Sequence, residues 1–165
     1  MDEAETAAFA GGGCDCGEIR YRLLAAPIVV HCCHCRWCQR ETGASFALNA
    51  VIEADQVELT GGTAQSVQTP SESGKGQEIL RCPSCKLALW SHYAGAGPKA
   101  SFIRVGTLDT PERCPPDVHI YTESKQPWVV LPEGAPQFAR FYAGRDLPRL
   151  YGEDGIARWR ALREG

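Results

Sequence analysis

Much of the chain alternates apolar and polar residues with a period of two, which predicts strands rather than helices. Ile19-Arg20-Tyr21-Arg22-Leu23 alternates this way, and so does Gln56-Val57-Glu58-Leu59-Thr60, stopped by Gly61-Gly62. Further strands are expected over residues 27–31, 46–52, 77–81, 87–92, 102–107, 118–122 and 128–131. Ser71-Glu72-Ser73-Gly74-Lys75-Gly76 reads as an exposed hairpin loop. Helical spacing is confined to two places. Residues 36–42 end at Gly43, a usual helix stop. Residues 153–163 set Ile156, Trp159 and Leu162 three apart, an apolar stripe suited to docking on the body. Many short strands with little helix predict an all-β, sandwich-like or barrel-like fold.

At 165 residues the chain suits one domain, large enough to bury roughly 70% of its unfolded surface. The apolar run from Leu23 to Val30 is interrupted by Pro27, far short of the about 18 residues a membrane helix needs. Met1-Asp2-Glu3-Ala4-Glu5 is acidic where a signal peptide would be basic, so a soluble, cytoplasmic protein is expected. A net charge of −3 with scattered cations argues against nucleic-acid and polybasic membrane partners.

Nine cysteines change the picture. They fall as Cys14 and Cys16, then Cys32, Cys33, Cys35 and Cys38, then Cys82 and Cys85, with Cys114 alone. An odd count in tight Cys-x-Cys and Cys-x-x-Cys spacings fits metal ligation better than disulfides. Cys82-Pro83-Ser84-Cys85 is a knuckle whose two thiolates can reach one zinc at about 2.3 Å. Two ligands do not close a tetrahedron, and Cys14-Asp15-Cys16-Gly17 is the natural second pair. Such a four-cysteine site would be structural; the alternative is two buried, reduced thiol couples.

The middle cluster, His31-Cys32-Cys33-His34-Cys35-Arg36-Trp37-Cys38, offers more ligands than one ion needs. Cys33 and Cys35 share a face of an extended segment, and Cys38 folds back from the helix that follows. Three thiolates with an open fourth position would make a catalytic zinc site. Cys32 and His34 then face the other way and are expected to pack. A second closed site, completed by His31, His34 or His92, stands as the rival. A three-thiolate zinc carries a net charge near −1, so it suits thiol chemistry better than hydroxide generation.

In this order the motifs resemble the glutathione-dependent formaldehyde-activating enzyme family, which includes the centromere protein V group. The stretches concerned are Gly12-Gly13-Cys14-Asp15-Cys16-Gly17, Cys33-His34-Cys35-Arg36-Trp37-Cys38, Cys82-Pro83-Ser84-Cys85, Phe102-Ile103-Arg104-Val105-Gly106-Thr107 and Asp117-Val118-His119-Ile120-Tyr121, then Trp128. The resemblance implies a zinc-ribbon-like β-tent over residues 1–142, with 143–165 as a tail carrying a short packed helix. It implies structural zinc on Cys14, Cys16, Cys82 and Cys85, and catalytic zinc on Cys33, Cys35 and Cys38. The implied activity is a carbon–sulfur lyase, or synthase, joining glutathione or a related thiol to formaldehyde or a similar aldehyde. A non-catalytic small-thiol carrier and a zinc-stabilised interaction scaffold are the alternatives. Arg36 and Arg40 are candidates for the glutathione carboxylates. His119 and Trp128 match the family and are expected to be a satisfied core histidine and a packed tryptophan, with direct substrate contact as the alternative. Lys86 stands where the family has Gly after the knuckle, which would strain a left-handed backbone. Cys32 and Cys114 are extra to the family's seven cysteines.

Overall fold

The computed structural model describes residues 8–165; the acidic stretch at residues 1–5 lies outside them. The strands are β1 (Ala10–Gly13), β2 (Arg20–Leu23), β3 (Val29–Cys33), β4 (Ala47–Glu53), β5 (Val57–Gly61), β6 (Gln65–Thr69), β7 (Gln77–Arg81), β8 (Ala88–Tyr93), β9 (Ala100–Arg104) and β10 (Val118–Ile120), of which β1 and β6 were not expected. Two α-helices join them, α1 (Arg36–Thr42) and α2 (Leu147–Glu164). The architecture is all-β with two helices.

Three strands make a small antiparallel sheet in the order β1-β2-β5, and seven make a second in the order β10-β3-β4-β9-β8-β7-β6. Within the large sheet only β10 runs parallel to its neighbour, β3. The side-chain period of two sends alternate residues to opposite faces. Val30, Ala50, Ile52, Leu89 and Ile103 pack with Ile19 and with Tyr21 and Leu23 of the small sheet in one core cluster. Tyr21 meets Trp90 edge-on at 5.5 Å within it. Val29, Cys33, Val51 and Phe102 face the other way, where Tyr142, Tyr151 and the apolar stripe of α2 cover them. One face of the large sheet is therefore structural, and the other carries the cysteine cluster.

α1 ends as its sequence requires, because Gly43 takes φ 66 and donates its N–H to the Gln39 carbonyl. α2 is longer than residues 153–163, starting at Leu147 with a kink at Gly152, φ 70. Residues 128–131 form no strand. Trp128 is 69% exposed and donates its indole N–H to Ser45 Oγ, so it is not a packed core residue. Residues 105–107 leave the β9 segment as a 3₁₀ turn. The described helices include none long and apolar enough to cross a membrane.

Arg158 fastens α2 to the sheet through two hydrogen bonds to Glu53, at 2.7 and 2.6 Å. Burial would raise the Glu53 carboxyl, but the Arg158 bonds outweigh it and hold that group below the ordinary carboxylate range. A depressed carboxylate stabilises the fold above its ordinary pKa, and that contribution disappears as pH falls through the lower folded value. Arg158→Ala should therefore cost about 1–3 kcal/mol at neutral pH and much less below the folded pKa of Glu53. Urea unfolding followed by tryptophan fluorescence at pH 7 and in acid would read the difference.

Candidate metal centres and cavity

The turn between β1 and β2 carries Cys14 and Cys16, and the turn between β7 and β8 carries Cys82 and Cys85. All four sulfurs lie within 4.8 Å of one another. Cys14 and Cys16 stand 3.4 Å apart, and Cys16 and Cys82 3.6 Å apart, near the roughly 3.8 Å expected around one tetrahedral zinc. The two turns belong to different sheets, so one ion would pin both. Backbone donors are already in place. Ile19 N–H points at Cys14 Sγ at 3.2 Å, and Lys86 N–H closes the knuckle on the Cys82 carbonyl. Burial raises the Cys14 thiol, yet the Ile19 N–H and the neighbouring cysteines bring it down to about 6. Lys86 has φ 65, the left-handed conformation that glycine tolerates better.

The second group is Cys33, Cys35 and Cys38, all buried and within 4.8 Å of one another. Cys33 ends β3. Cys35 caps α1 with extended φ/ψ, and its sulfur accepts the Cys38 N–H at 3.3 Å. Gln39 holds this turn by donating to the His34 carbonyl at 2.7 Å and the Ser124 carbonyl at 3.0 Å. Hydrogen bonds from Cys33 and Cys38 lower Cys35 to about 3, and the same crowding pushes Cys33 far up. The donor set fits zinc, which takes thiolates and leaves a three-ligand site open.

None of His31, His34 and His92 joins this trio. His31 lines the same cavity, but its Nε2 is 2.8 Å from Tyr142 Oη, which is 2.6 Å from Tyr151 Oη. Burial lowers His31 to about 4, so the ring is neutral at ordinary pH. His92 Nδ1 is bonded to the Ala100 carbonyl. Cys32 and His34 face away from the trio and meet His119. Cys114 is buried in the first core cluster.

The trio opens into a cavity of about 560 Å³. Much of its apolar lining is aromatic, from Trp37, Tyr93, Phe102, Phe141, Tyr142 and Trp159. Much of that wall comes from residues 141–163. Its charged lining consists of Glu72, Lys75 and Arg163. The loop of residues 71–76 is thus part of the site, with Ser71 buried, and not only an exposed connection. Arg36 and Arg40 are exposed on α1 and do not line the cavity.

Sequence patterning also passes over Arg104. It is 8% exposed on the cavity face of β9, bonded to the neutral partners Asn49 and Ser91. The Cys38 thiol is lowered by its bond with Cys33 but raised by Cys35 and burial, which leave it up at about 12, and the Arg104 charge adds a small downward pull. A buried guanidinium here offsets the negative charge of a thiolate cluster. The signal was a cation inside an apolar strand, Phe102-Ile103-Arg104-Val105.

No curated protein matches the sequence significantly. The crystal structure of a Rhodobacter sphaeroides protein is similar over 60% of this chain and 87% of that one, at 18% identity and a TM-score of 0.46. The model of the glutathione-dependent formaldehyde-activating enzymes matches residues 9–124, a span that holds all seven cysteines of the two thiol groups. On that match the chain belongs to the family of glutathione-dependent formaldehyde-activating enzymes.

Proposed function

We propose that the chain joins glutathione, or a related thiol, to formaldehyde or a similar small aldehyde, as a zinc-dependent carbon–sulfur lyase or synthase. The observation that carries this reading is the Cys33, Cys35 and Cys38 trio, buried at the floor of a cavity with no fourth protein ligand grouped with it. Bound zinc would hold an incoming thiol as its thiolate. A carbon–sulfur bond then forms at the carbonyl carbon, the π electrons pass to oxygen, and the proton lost by the thiol ends there. With His31 Nε2–H at one end, the chain of His31, Tyr142 and Tyr151 leaves one polar hydrogen on the cavity wall for that oxygen. Burial raises the Tyr142 hydroxyl, which keeps it protonated as a donor. We place Cys14, Cys16, Cys82 and Cys85 on a structural zinc, and this chemistry in a reducing compartment such as the cytoplasm, where free thiols persist.

Glutathione carries two carboxylates and one ammonium, and the cavity lines up two cations, Lys75 and Arg163, with one anion, Glu72. We assign the carboxylate contacts to this pair in place of Arg36 and Arg40. Both cations are exposed, so each should contribute modestly. Lys75→Glu with Arg163→Glu should raise the KM for glutathione about tenfold, while 2-mercaptoethanol, which carries no charged group besides its thiol, is little affected.

The deciding experiment is the rate of S-(hydroxymethyl)glutathione formation against the spontaneous condensation. Acceleration by the zinc-loaded chain is the expected result. Saturable thiol binding without acceleration would make the protein a carrier, and no thiol binding would leave a scaffold.

A further inference from the structure

We propose that Cys32, His34 and His119 form a third metal site, for zinc or a similarly thiophilic cation, on the sheet face opposite the three-thiolate group. It stands independently of the thiol reaction. β3 sends Cys33 toward the cavity and Cys32 away from it, and the alternation continues past the strand, so His34 joins Cys32. β10 lies parallel beside β3 with His119 paired to Cys32, which puts a third donor on the same face. One short segment, residues 32–35, thus presents ligands in two opposite directions.

The distances suit a common ion. Cys32 Sγ is 3.5 Å from His34 Nε2, and His34 Nε2 is 3.0 Å from His119 Nδ1. A tetrahedral zinc would hold sulfur and nitrogen roughly 3.5 Å apart and two nitrogens roughly 3.3 Å apart. Exposures are 2%, 0% and 5%, so these are core groups. A core thiol and two imidazoles are costly unless bonded, and here Cys32 Sγ, His34 Nε2 and His119 Nδ1 face only one another. Three metal-binding atoms turned toward one common point in the core are arranged as a ligand set.

The donor chemistry narrows the cation. One thiolate with two imidazoles selects zinc or copper over magnesium and calcium. With zinc the group carries about +1, while a three-thiolate zinc across the strand carries about −1, so the two centres attract. The ion would pin β10, three residues long, to β3 and hold residue 34 rigid between Cys33 and Cys35.

Native mass spectrometry and zinc X-ray absorption of the wild-type chain test this. Three zinc ions per chain and imidazole outer-shell scattering are expected, because the other two groups contain only sulfur. His119→Gln should lose one zinc together with that scattering. Should it fail to fold, Cys32→Ser, a one-atom change, should lose the same zinc. A wild-type spectrum without imidazole scattering overturns the site, as does scattering that survives either variant. Cys38→Ala, which disables the proposed reaction, should lose a zinc and keep the imidazole scattering, so the two proposals fail separately.

Discussion

Cys85→Ala should lose a zinc and with it the fold. Cys85 is exposed, so removing its sulfur sacrifices almost no packing, and any stability lost is metal binding. A structural zinc contributes an apparent free energy of about 10–16 kcal/mol, while a domain of this kind is stable by about 5–15 kcal/mol. Losing even a third of the former, about 4 kcal/mol, is comparable with the whole margin. The effect should be global because the four cysteines join turns from two sheets. Far-ultraviolet circular dichroism with zinc counting would show it. A folded Cys85→Ala chain that keeps its zinc would remove this site from the account of stability.

Cys38→Ala should do the reverse, sparing the fold and abolishing thiol binding. Cys38 is buried, but the change removes one sulfur atom, worth about 1 kcal/mol of burial. The backbone N–H of residue 38 still bonds Cys35 Sγ, and Gln39 still holds the turn. Two thiolates would remain where three are needed. In the cobalt-loaded wild type, glutathione should shift the thiolate-to-metal charge-transfer absorption and glutathione disulfide should not. In Cys38→Ala neither should, and the condensation rate should fall to the spontaneous value. A glutathione response that persists without Cys38 would place the thiol elsewhere.

The two thiol groups were legible because metal ligation writes itself into local spacing. Cys-x-Cys and Cys-x-x-Cys turns bring sulfurs together within a few residues, whatever the rest of the chain does. The strands at 19–23 and 77–81 were legible for a similar reason, since a half-buried strand shows its pleat as alternation. β1 was not, because Gly11-Gly12-Gly13 has no side chains to alternate. β6 escaped because its Gln65, Ser66 and Gln68 are exposed, leaving no buried face to mark it. Residues 128–131 misled in the opposite sense: a Trp-Val-Val run suits a strand, but no neighbouring strand pairs with it, and Val130 is 88% exposed.

By itself, then, the sequence determined the strand-rich class, the two cysteine groups and the family. Each of these rests on short motifs or local periods, the four-cysteine group being two such motifs joined because neither closes a tetrahedron alone. Only the tertiary structure decided what surrounds the groups. It set Arg104 near the trio and folded residues 141–163 over the cavity. It also brought His119 to Cys32 and His34. The physical reason is that a ligand set within one turn is a matter of backbone geometry. A cavity wall and a strand register are settled by packing between distant segments, which no local period records.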